Sequence, residues 1–347
     1  MPDATSNRVA RPQNPPDGPV RAARERLAGV LSETPLIEHE FGDPRVRLRL
    51  KLECSQATGA FKARGAWNQV AQLTEGQARR GVVTASSGNH GKALAWAAGR
   101  AGVAATICMP RNAYRSKIEA CREFGAEVIL CEDRGAADRM AAERAELGAF
   151  EIPPYDSERT LHGQGTVALE VFEQWPETEC LVVPVGGGGL LAGCSLVVAA
   201  VRARGQRIHL AGVEPTGAAA MGASFASGHA ESLERVDSKI QGLTPPRAGA
   251  IPFAIARPHV DGMFALADRA ILAAQHRLVH ALDLPVEPAG AASFALLLGG
   301  FPEEMLAGRS SQDPLRVVCV VTGGNPDPDQ LAAVRATAAG EPYPPLP

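Results

Sequence analysis

Between residues 79 and 152, short apolar strands alternate with helical segments three times in close succession. GVVTA precedes a helix over KALAWAAGRAG, AATICM precedes a helix around 115–124, and AEVILC precedes a helix around 136–147. Parallel strands need crossover connections of this kind, because a tight turn joins only antiparallel neighbours. The spacing therefore predicts a small α/β domain with a parallel sheet over 79–152.

A second set of strands and helices follows. CLVVPV at 180–185, a helix over 190–204 and RIHLAGVE at 207–214 form another βαβ unit, and LRVVCVV at 315–321 has the continuous apolar character of a buried strand. Charged and apolar residues alternate over 45–53, which predicts a half-exposed strand. These elements predict a second, larger open sheet.

Two other segments have recognisable patterns. Apolar periodicity predicts a helix over 20–33, which ends before the extended TPL at 34–36. The stretch 224–262 is rich in glycine, proline and small residues. We expect it to be irregular and to form pocket walls.

The predicted fold class is therefore α/β, with two doubly wound open-sheet domains. We expect a large domain made of 1–78 and 153–347, with 1–19 disordered. Residues 79–152 would form the second, smaller domain. Ligands of such folds bind at the carboxyl ends of the strands.

Composition excludes several function classes. The net charge is −3 and there is no basic run, so we expect no nucleic-acid partner and no anionic membrane surface. No apolar run approaches membrane-spanning length, and the N-terminus lacks the apolar core of a secretory signal. The seven cysteines are scattered without a C-x-x-C pair, which favours reduced thiols and a cytoplasmic location.

Lys62 lies in SQATGAFKARG, between a predicted strand and a helix. An apolar surrounding disfavours the charged form of a lysine, so its amine becomes available as a nucleophile or base. Such an amine can form a Schiff base with a carbonyl compound such as pyridoxal phosphate. Taken alone, a lysine on a helix is most often solvated, so other motifs must support this interpretation.

Four consecutive glycines, Gly186, Gly187, Gly188 and Gly189, stand between a predicted strand and a helix. Without Cβ atoms, the backbone can approach an anion closely and direct several N–H groups at it. This predicts a phosphate or pyrophosphate site rather than a plain turn. The G-x-G-x-x-A spacing also fits a nicotinamide dinucleotide, with Glu214 at the end of the next strand as a ribose ligand.

SSGNHG at 86–91 also lies between a strand and a helix start. Its hydroxyls, amide and backbone N–H groups suit a carboxylate, although a serine N-cap without a ligand is equally compatible. Thr322 ends the last predicted strand before two glycines. Its neutral hydroxyl could face a pyridine nitrogen and leave that nitrogen unprotonated. The ring is then a weaker electron sink, which suits eliminations better than reactions that need a long-lived carbanion.

Together these motifs resemble fold type II pyridoxal-phosphate enzymes of the serine/threonine dehydratase and serine racemase family, with a tryptophan synthase β-like fold. The resemblance covers roughly residues 20–325. It depends on several motifs in this order: TPL, KLE with TGAFKARGA, SSGNHG, GQGT, GGGGLLAG, EPAGAA and TGGN. The nicotinamide interpretation is much weaker beside it.

The resemblance implies a role for each motif. Lys62 would be the Schiff-base lysine, and Phe61 would pack on the cofactor ring. Asn89 would bond the ring 3-oxygen, and Thr322 would face the ring nitrogen. Glu287 would line the pocket near the ring. The phosphate would be bound by backbone amides of Gly186, Gly187, Gly188, Gly189 and Leu190, and the substrate carboxylate by Ser86, Ser87, Gly88, Asn89 and His90.

Three departures from the family pattern matter. Ala60 stands where many relatives have serine, and Thr322 where serine or cysteine is common. Some relatives bind a divalent metal through a glutamate, a carbonyl and an aspartate in a segment like 214–220. Glu214 and the Ala218 carbonyl could serve, but Ala220 replaces the aspartate, so we expect no metal.

One histidine pair is a separate metal candidate. His276 and His280 are spaced i, i+4, but Arg277 occupies the glutamate position of H-E-x-x-H. We therefore expect a solvated helix face rather than a zinc site.

The resemblance implies an ammonia-lyase that removes water from L-threonine or L-serine to give a 2-oxo acid and ammonia. Racemisation remains an alternative, because racemases use a serine at the position of Ser87 as a second catalytic base. Dehydration of 3-hydroxyaspartate would need an additional cation, from Arg115 or Arg159. More distant alternatives are a non-catalytic pyridoxal-phosphate or amino-acid-binding protein and a nicotinamide-dependent dehydrogenase. The family suggests a homodimer.

Overall fold

The computed structural model describes residues 15–338. The first fourteen residues of the predicted disordered leader therefore lie outside the described part. The helices are α1 (Gly18–Leu27), α2 (Lys62–Val70), α3 (Glu75–Arg80), α4 (Asn89–Ala101), α5 (Arg115–Glu123), α6 (Arg134–Glu146), α7 (Glu158–Gln174), α8 (Gly189–Ala203), α9 (Ala220–Ser227), α10 (Ala250–Ala256), α11 (Asp268–Leu282), α12 (Pro288–Gly300), α13 (Glu303–Leu306) and α14 (Pro328–Ala336).

The strands form two separate sheets. They are β1 (Leu36–His39), β2 (Val46–Leu52), β3 (Val82–Ala85), β4 (Ala105–Pro110), β5 (Glu127–Cys131), β6 (Phe150–Glu151), β7 (Cys180–Pro184), β8 (His209–Pro215), β9 (Gly262–Leu266) and β10 (Leu315–Val321). The six-stranded sheet has the order β1-β2-β10-β7-β8-β9, and the four-stranded sheet has the order β5-β4-β3-β6. All pairs are parallel except β1 with β2. The predicted α/β class with two open sheets is confirmed.

Helices cover both faces of the larger sheet, because its central strands are apolar on both sides. In β10, Val317 and Cys319 point into a core shared with α11 and α12, whereas Val318 and Val320 point into a core shared with α7 and α8. The smaller sheet is likewise buried between two apolar clusters. Since successive strand residues alternate between faces, burial on both faces requires the continuous apolar runs seen in the sequence.

Two expectations about local structure were wrong in part. The first helix ends at Leu27 rather than near residue 33, and Gly29 follows with a φ of +73° that a helix does not continue through. The stretch 224–262 is not wholly irregular, because it contains α10 and leads into β9, which pairs with β8. Both elements are short, so they carry little periodicity in the sequence.

Within residues 15–338, no helix is long and apolar enough to cross a membrane. All seven cysteines are free thiols, and six of them are buried. The predicted reduced state of these residues therefore agrees with the structure.

Candidate active site

The loop that carries Lys62 is bound to the carboxyl end of β10. The Phe61 N–H donates to the Thr322 carbonyl over 3.1 Å, and the Gly324 N–H donates to the Gly59 carbonyl over 2.8 Å. These backbone bonds place Lys62 beside the TGGN loop, although about 260 residues separate the two segments in the chain. Lys62 is also the first residue of α2.

A buried cluster of ion pairs anchors the first turn of α2. The Arg64 guanidinium contacts a Glu53 oxygen over 2.7 Å and a Glu170 oxygen over 2.6 Å, and the Lys51 ammonium contacts Glu170 over 2.6 Å. Burial alone would raise the pKa of Glu170, but Arg64 and Lys51 lower it to about 2. Because Arg64 is two residues from Lys62, the cluster restrains the turn of helix that carries the reactive amine.

Within residues 15–338, no carboxylate forms an ion pair with the Lys62 ammonium. The ammonium donates to the Pro154 carbonyl over 2.7 Å, and the residue is half-buried. Desolvation by the surrounding protein lowers its pKa from 10.5 to about 7. A substantial fraction of the amine is therefore neutral near pH 7, as a nucleophile or base requires.

The SSGNHG loop lies at the start of α4, and its two serines have different surroundings. The Ser86 hydroxyl accepts from the Gly88 N–H over 3.3 Å and from the Gly91 N–H over 3.2 Å, so it serves inside the loop. Ser87 makes no side-chain hydrogen bond within the part of the chain that the structure describes. Its hydroxyl, and the N–H groups of Asn89 and His90 in the first turn of α4, remain available to a ligand.

The His90 ring forms a hydrogen bond with a backbone carbonyl outside the SSGNHG loop. Its Nε2 donates to the Ile152 carbonyl over 2.9 Å. Burial, and next the charge of Lys62, lower the pKa of His90 to about 3, so the ring is neutral. It therefore brings no positive charge to a substrate carboxylate, and the part of His90 suited to bind one is its backbone amide.

Asn89 and Glu287 meet beside the end of β10. The Asn89 Nδ2 donates to the Glu287 Oε1 over 2.6 Å, and the Glu287 N–H donates to the Gly323 carbonyl over 3.1 Å. A Cβ at Gly323 would lie 2.0 Å from the Glu287 carboxyl oxygen, so only glycine permits this approach. Burial raises the pKa of Glu287, against the opposing charge of Lys117.

The tetraglycine loop at 186–189 runs from β7 into α8. Gly188 has a φ of +94°, and a Cβ on Gly187 would lie 2.4 Å from the Tyr155 ring. Both positions therefore require glycine. The N–H groups of Gly189 and Leu190 belong to the first turn of a 15-residue helix, which supplies no acceptors for them. The loop thus has the properties of an anion site.

Thr322 is 3% exposed and follows the last residue of β10. Its hydroxyl donates weakly to the Ala289 carbonyl over 3.4 Å. A ligand nitrogen beside this side chain would meet a neutral hydroxyl.

Comparison with known proteins identifies the family. Residues 27–323 match the family model described as pyridoxal-phosphate dependent enzyme. The chain belongs to this family. Its cofactor is pyridoxal 5'-phosphate, and the nicotinamide alternative for the tetraglycine loop is set aside.

Individual relatives narrow the family further. The chain is 34% identical to a serine racemase of Oryza sativa over 314 residues, which cover 89% of this chain and 90% of the relative. It is 32% identical to a catabolic L-threonine dehydratase of Escherichia coli over 317 residues, which cover 90% and 93%. The structure of maize serine racemase superposes with a TM-score of 0.83 at 34% identity, covering 92% and 96%. The chain thus belongs to the dehydratase and racemase group of this family.

The residues present fit the cofactor. The Lys62 amine is desolvated without an ionic partner, and the first turn of α8 offers N–H groups for a phosphate. Among the described residues, three polar atoms that adjoin this region are buried without a partner: His90 Nδ1, Thr58 Oγ1 and Gln164 Oε1. Unpaired buried polar atoms are costly, so their concentration here indicates that a polar ligand completes the site.

The residues do not fit a divalent metal at the position where some relatives bind one. The Glu214 carboxylate accepts from the Met221 N–H over 2.9 Å and from the Gly222 N–H over 2.7 Å, so it caps the start of α9. Burial raises its pKa to about 7. Ala220 offers no side-chain oxygen, and residues 15–338 contain no cluster of metal-ligating side chains. Independence from metal stays a prediction.

The histidine pair on α11 differs from the expected solvated face. His276 donates to the Thr337 carbonyl over 3.3 Å, and His280 donates to the Val334 carbonyl over 3.1 Å. His276 is only 4% exposed, so the expectation was wrong for this residue. The pair connects α11 to the end of α14.

Sequence reasoning missed three residues at the site. Tyr155 packs against the tetraglycine loop. Lys92 donates to Asn325, and Asn325 donates to Asn89. Asn325 ends the TGGN motif after a strand, which is a detectable signal. Nothing in the local sequence indicates a partner for Lys92, because that contact joins α4 to a distant loop.

Proposed function

We propose that the protein removes water from a small β-hydroxy amino acid, L-threonine or L-serine, to give a 2-oxo acid and ammonia. The observation that carries this proposal is the state of Lys62. Its amine has a pKa near 7 and lies in a loop bonded to the end of β10, where Thr322 presents a neutral hydroxyl. Lys62 would act as the base, and Thr322 would leave the cofactor's ring nitrogen unprotonated, so that the ring is a moderate electron sink.

The cofactor would be held from several elements. The backbone of 186–189 and the N–H of Leu190 would bind the phosphate. Asn89 would donate to the ring 3-oxygen, Thr322 would face the ring nitrogen, and Phe61 would pack on the ring. Glu287 would line the pocket beside Asn89, where its hydrogen bond already lies.

When bound, pyridoxal phosphate supplies an electron sink for negative charge at the substrate's α-carbon. The free Lys62 amine would take the α-proton of the bound substrate. The β-carbon–oxygen bond would then break, and the departing hydroxide with one proton makes the water lost. The released enamine would hydrolyse in solvent to the 2-oxo acid and ammonia.

The substrate carboxylate would be bound at the start of α4. The N–H groups of Ser87, Gly88, Asn89 and His90 lie in or next to the first turn, where a helix offers positive partial charge. We propose that this segment, within a small domain of 79–152, closes over the carboxylate and excludes water. The homodimer also stays a proposal, which light scattering would test.

The similarity to the E. coli L-threonine dehydratase supports dehydration. A serine racemase relative, together with the unbonded hydroxyl of Ser87, supports racemisation as a second candidate. A base on the opposite face of the α-carbon would need such a free group. An acidic substrate such as 3-hydroxyaspartate gains no support from the two arginines considered, because Arg115 pairs with Glu119 and Arg159 donates to the Gln72 carbonyl.

The test is turnover of L-threonine and L-serine by purified protein, with 2-oxo acid, ammonia and the chirality of remaining serine measured together. We expect equal amounts of 2-oxo acid and ammonia from the wild type. Lys62→Ala should lose turnover and recover part of it with an added small primary amine. D-serine without 2-oxo acid would favour racemisation, and bound cofactor without either product would favour a non-catalytic protein.

A further inference from the structure

A line of three side-chain hydrogen bonds crosses the candidate site. Lys92 Nζ donates to Asn325 Oδ1 over 2.8 Å, Asn325 Nδ2 donates to Asn89 Oδ1 over 2.8 Å, and Asn89 Nδ2 donates to Glu287 Oε1 over 2.6 Å. Lys92 and Asn89 stand three residues apart on α4. Each of the three bonds therefore joins α4 to a loop at the end of the larger sheet.

The partners of Asn325 fix the orientation of its amide. A lysine ammonium can only donate and a backbone carbonyl can only accept. Lys92 therefore requires the Asn325 oxygen, and the Thr58 carbonyl, 2.9 Å from Asn325 Nδ2, requires the nitrogen. A Cβ on Gly59 would lie 2.6 Å from Asn325 Oδ1, so the amide packs closely against this glycine.

The orientation of Asn325 in turn decides which end of Asn89 reaches the ligand. Because Asn325 presents a donor, Asn89 must offer its oxygen to Asn325 and its nitrogen to the opposite side. Glu287 lies on that side, but a carboxyl group can accept or, when protonated, donate, so it does not fix the amide alone. The donor that faces the pocket is thus set by Asn325.

We propose that Asn325, anchored by Lys92, is the positioning residue that directs the Asn89 side-chain N–H at the ring oxygen of the cofactor. This inference rests on the proposed role of Asn89. In addition, Asn325, which would not itself touch the ring oxygen, determines that Asn89 presents its N–H to that oxygen. The same bonds also attach the start of α4 to the larger sheet.

The decisive variant is Asn325→Asp. It preserves the shape of the side chain and strengthens the contact with Lys92, but it removes the donor to Asn89. Asn89 must then turn its nitrogen toward Asp and its oxygen toward the ring. We expect at least a tenfold weaker affinity for pyridoxal phosphate and a shifted visible absorbance band, because the ring oxygen's charge state affects that band.

The chain offers a matched control. Asn68 accepts from Arg26 over 3.1 Å and donates to the Arg159 carbonyl over 2.7 Å, so it also lies between a cation and a carbonyl. Asn68→Asp makes the same chemical change away from Asn89 and should leave affinity and spectrum unchanged. Melting of each apoprotein shows whether the variants fold. If Asn325→Asp does not fold, Asn325→Ala removes the same donor and should weaken affinity severalfold.

The outcomes separate the two levels of the proposal. If Asn325→Asp folds and binds pyridoxal phosphate with wild-type affinity and spectrum, while Asn89→Ala binds weakly, the inference about Asn325 is overturned and the role of Asn89 remains. Wild-type affinity and spectrum in Asn89→Ala would overturn both. Weak binding with a shifted band in both site variants, but not in Asn68→Asp, would support the inference.

Discussion

Replacing Lys62 by methionine should stabilise the apoprotein. The ammonium of Lys62 is desolvated, and it donates to the neutral Pro154 carbonyl. Folding therefore disfavours the charged form, which is the form that predominates in the unfolded chain at neutral pH. Methionine keeps a similar stem without the charge. Reactive groups often lower stability in this way, because the site is shaped for a ligand that the apoprotein lacks.

The magnitude follows from the pKa shift. A fall from 10.5 to about 7 disfavours the folded state at pH 7 by about 4 kcal/mol. Losing the bond to the Pro154 carbonyl costs about 1 kcal/mol, so the net gain is about 3 kcal/mol. Between pH 7 and 10.5 the unfolded chain binds more protons than the folded one, so wild-type stability rises with pH. The stability that Lys62→Met gains over the wild type should therefore decrease as the pH rises. At pH 9.5 the desolvation cost of Lys62 in the wild type falls to about 1.4 kcal/mol.

Lys51→Met is the matched control, since Lys51 is fully buried but contacts Glu170 over 2.6 Å. Removing this ammonium leaves the buried Glu170 carboxylate with less positive charge around it. The free energy of unfolding should therefore fall by about 3 kcal/mol. Urea denaturation of cofactor-free protein measures both changes. The reasoning would be refuted if Lys62→Met destabilises as Lys51→Met does, or if its advantage is the same at pH 6.5 and pH 9.5.

Three further predictions concern the cofactor and metal sites. Gly187→Ala places a Cβ 2.4 Å from the Tyr155 ring, so titration with pyridoxal phosphate should show at least tenfold weaker binding. Gly299→Ala is the control, because its Cβ would meet nothing within 4 Å, and it should bind the cofactor normally. The rate at which apoprotein recovers bound cofactor should rise with pH around a midpoint near 7, because the neutral Lys62 amine reacts; a midpoint above pH 9 would contradict the pKa shift. Magnesium or EDTA should not change the melting temperature, since Glu214 is already occupied by backbone N–H groups; a marked rise with magnesium would contradict this.

Much of the fold could be predicted because buried parallel strands have a distinctive sequence pattern. The apolar run that became β10 is buried on both faces between helices, and that burial is what its composition requires. The elements that escaped prediction are short. α10 has seven residues and β9 has five, too few for periodicity to separate helix from strand.

The candidate site was partly predictable for a different reason. The ends of parallel strands meet at one edge of a sheet, so Lys62 and Thr322 could be expected together, and their loops are bonded. The contact between Lys92 and Asn325 could not be expected, because it depends on how α4 lies against the larger sheet. The neutral state of His90 also depends on burial, which its motif does not reveal.

The most direct test of the account asks which residue carries the cofactor. Borohydride reduction of the purified protein makes the bond between pyridoxal phosphate and its lysine permanent, and mass spectrometry of the digested chain then locates it. We expect the added mass on the peptide that contains Lys62, and its absence after prior incubation with excess L-threonine or L-serine. A label on another lysine, or none after saturation with pyridoxal phosphate, would contradict the assignment of Lys62 as the centre of the site.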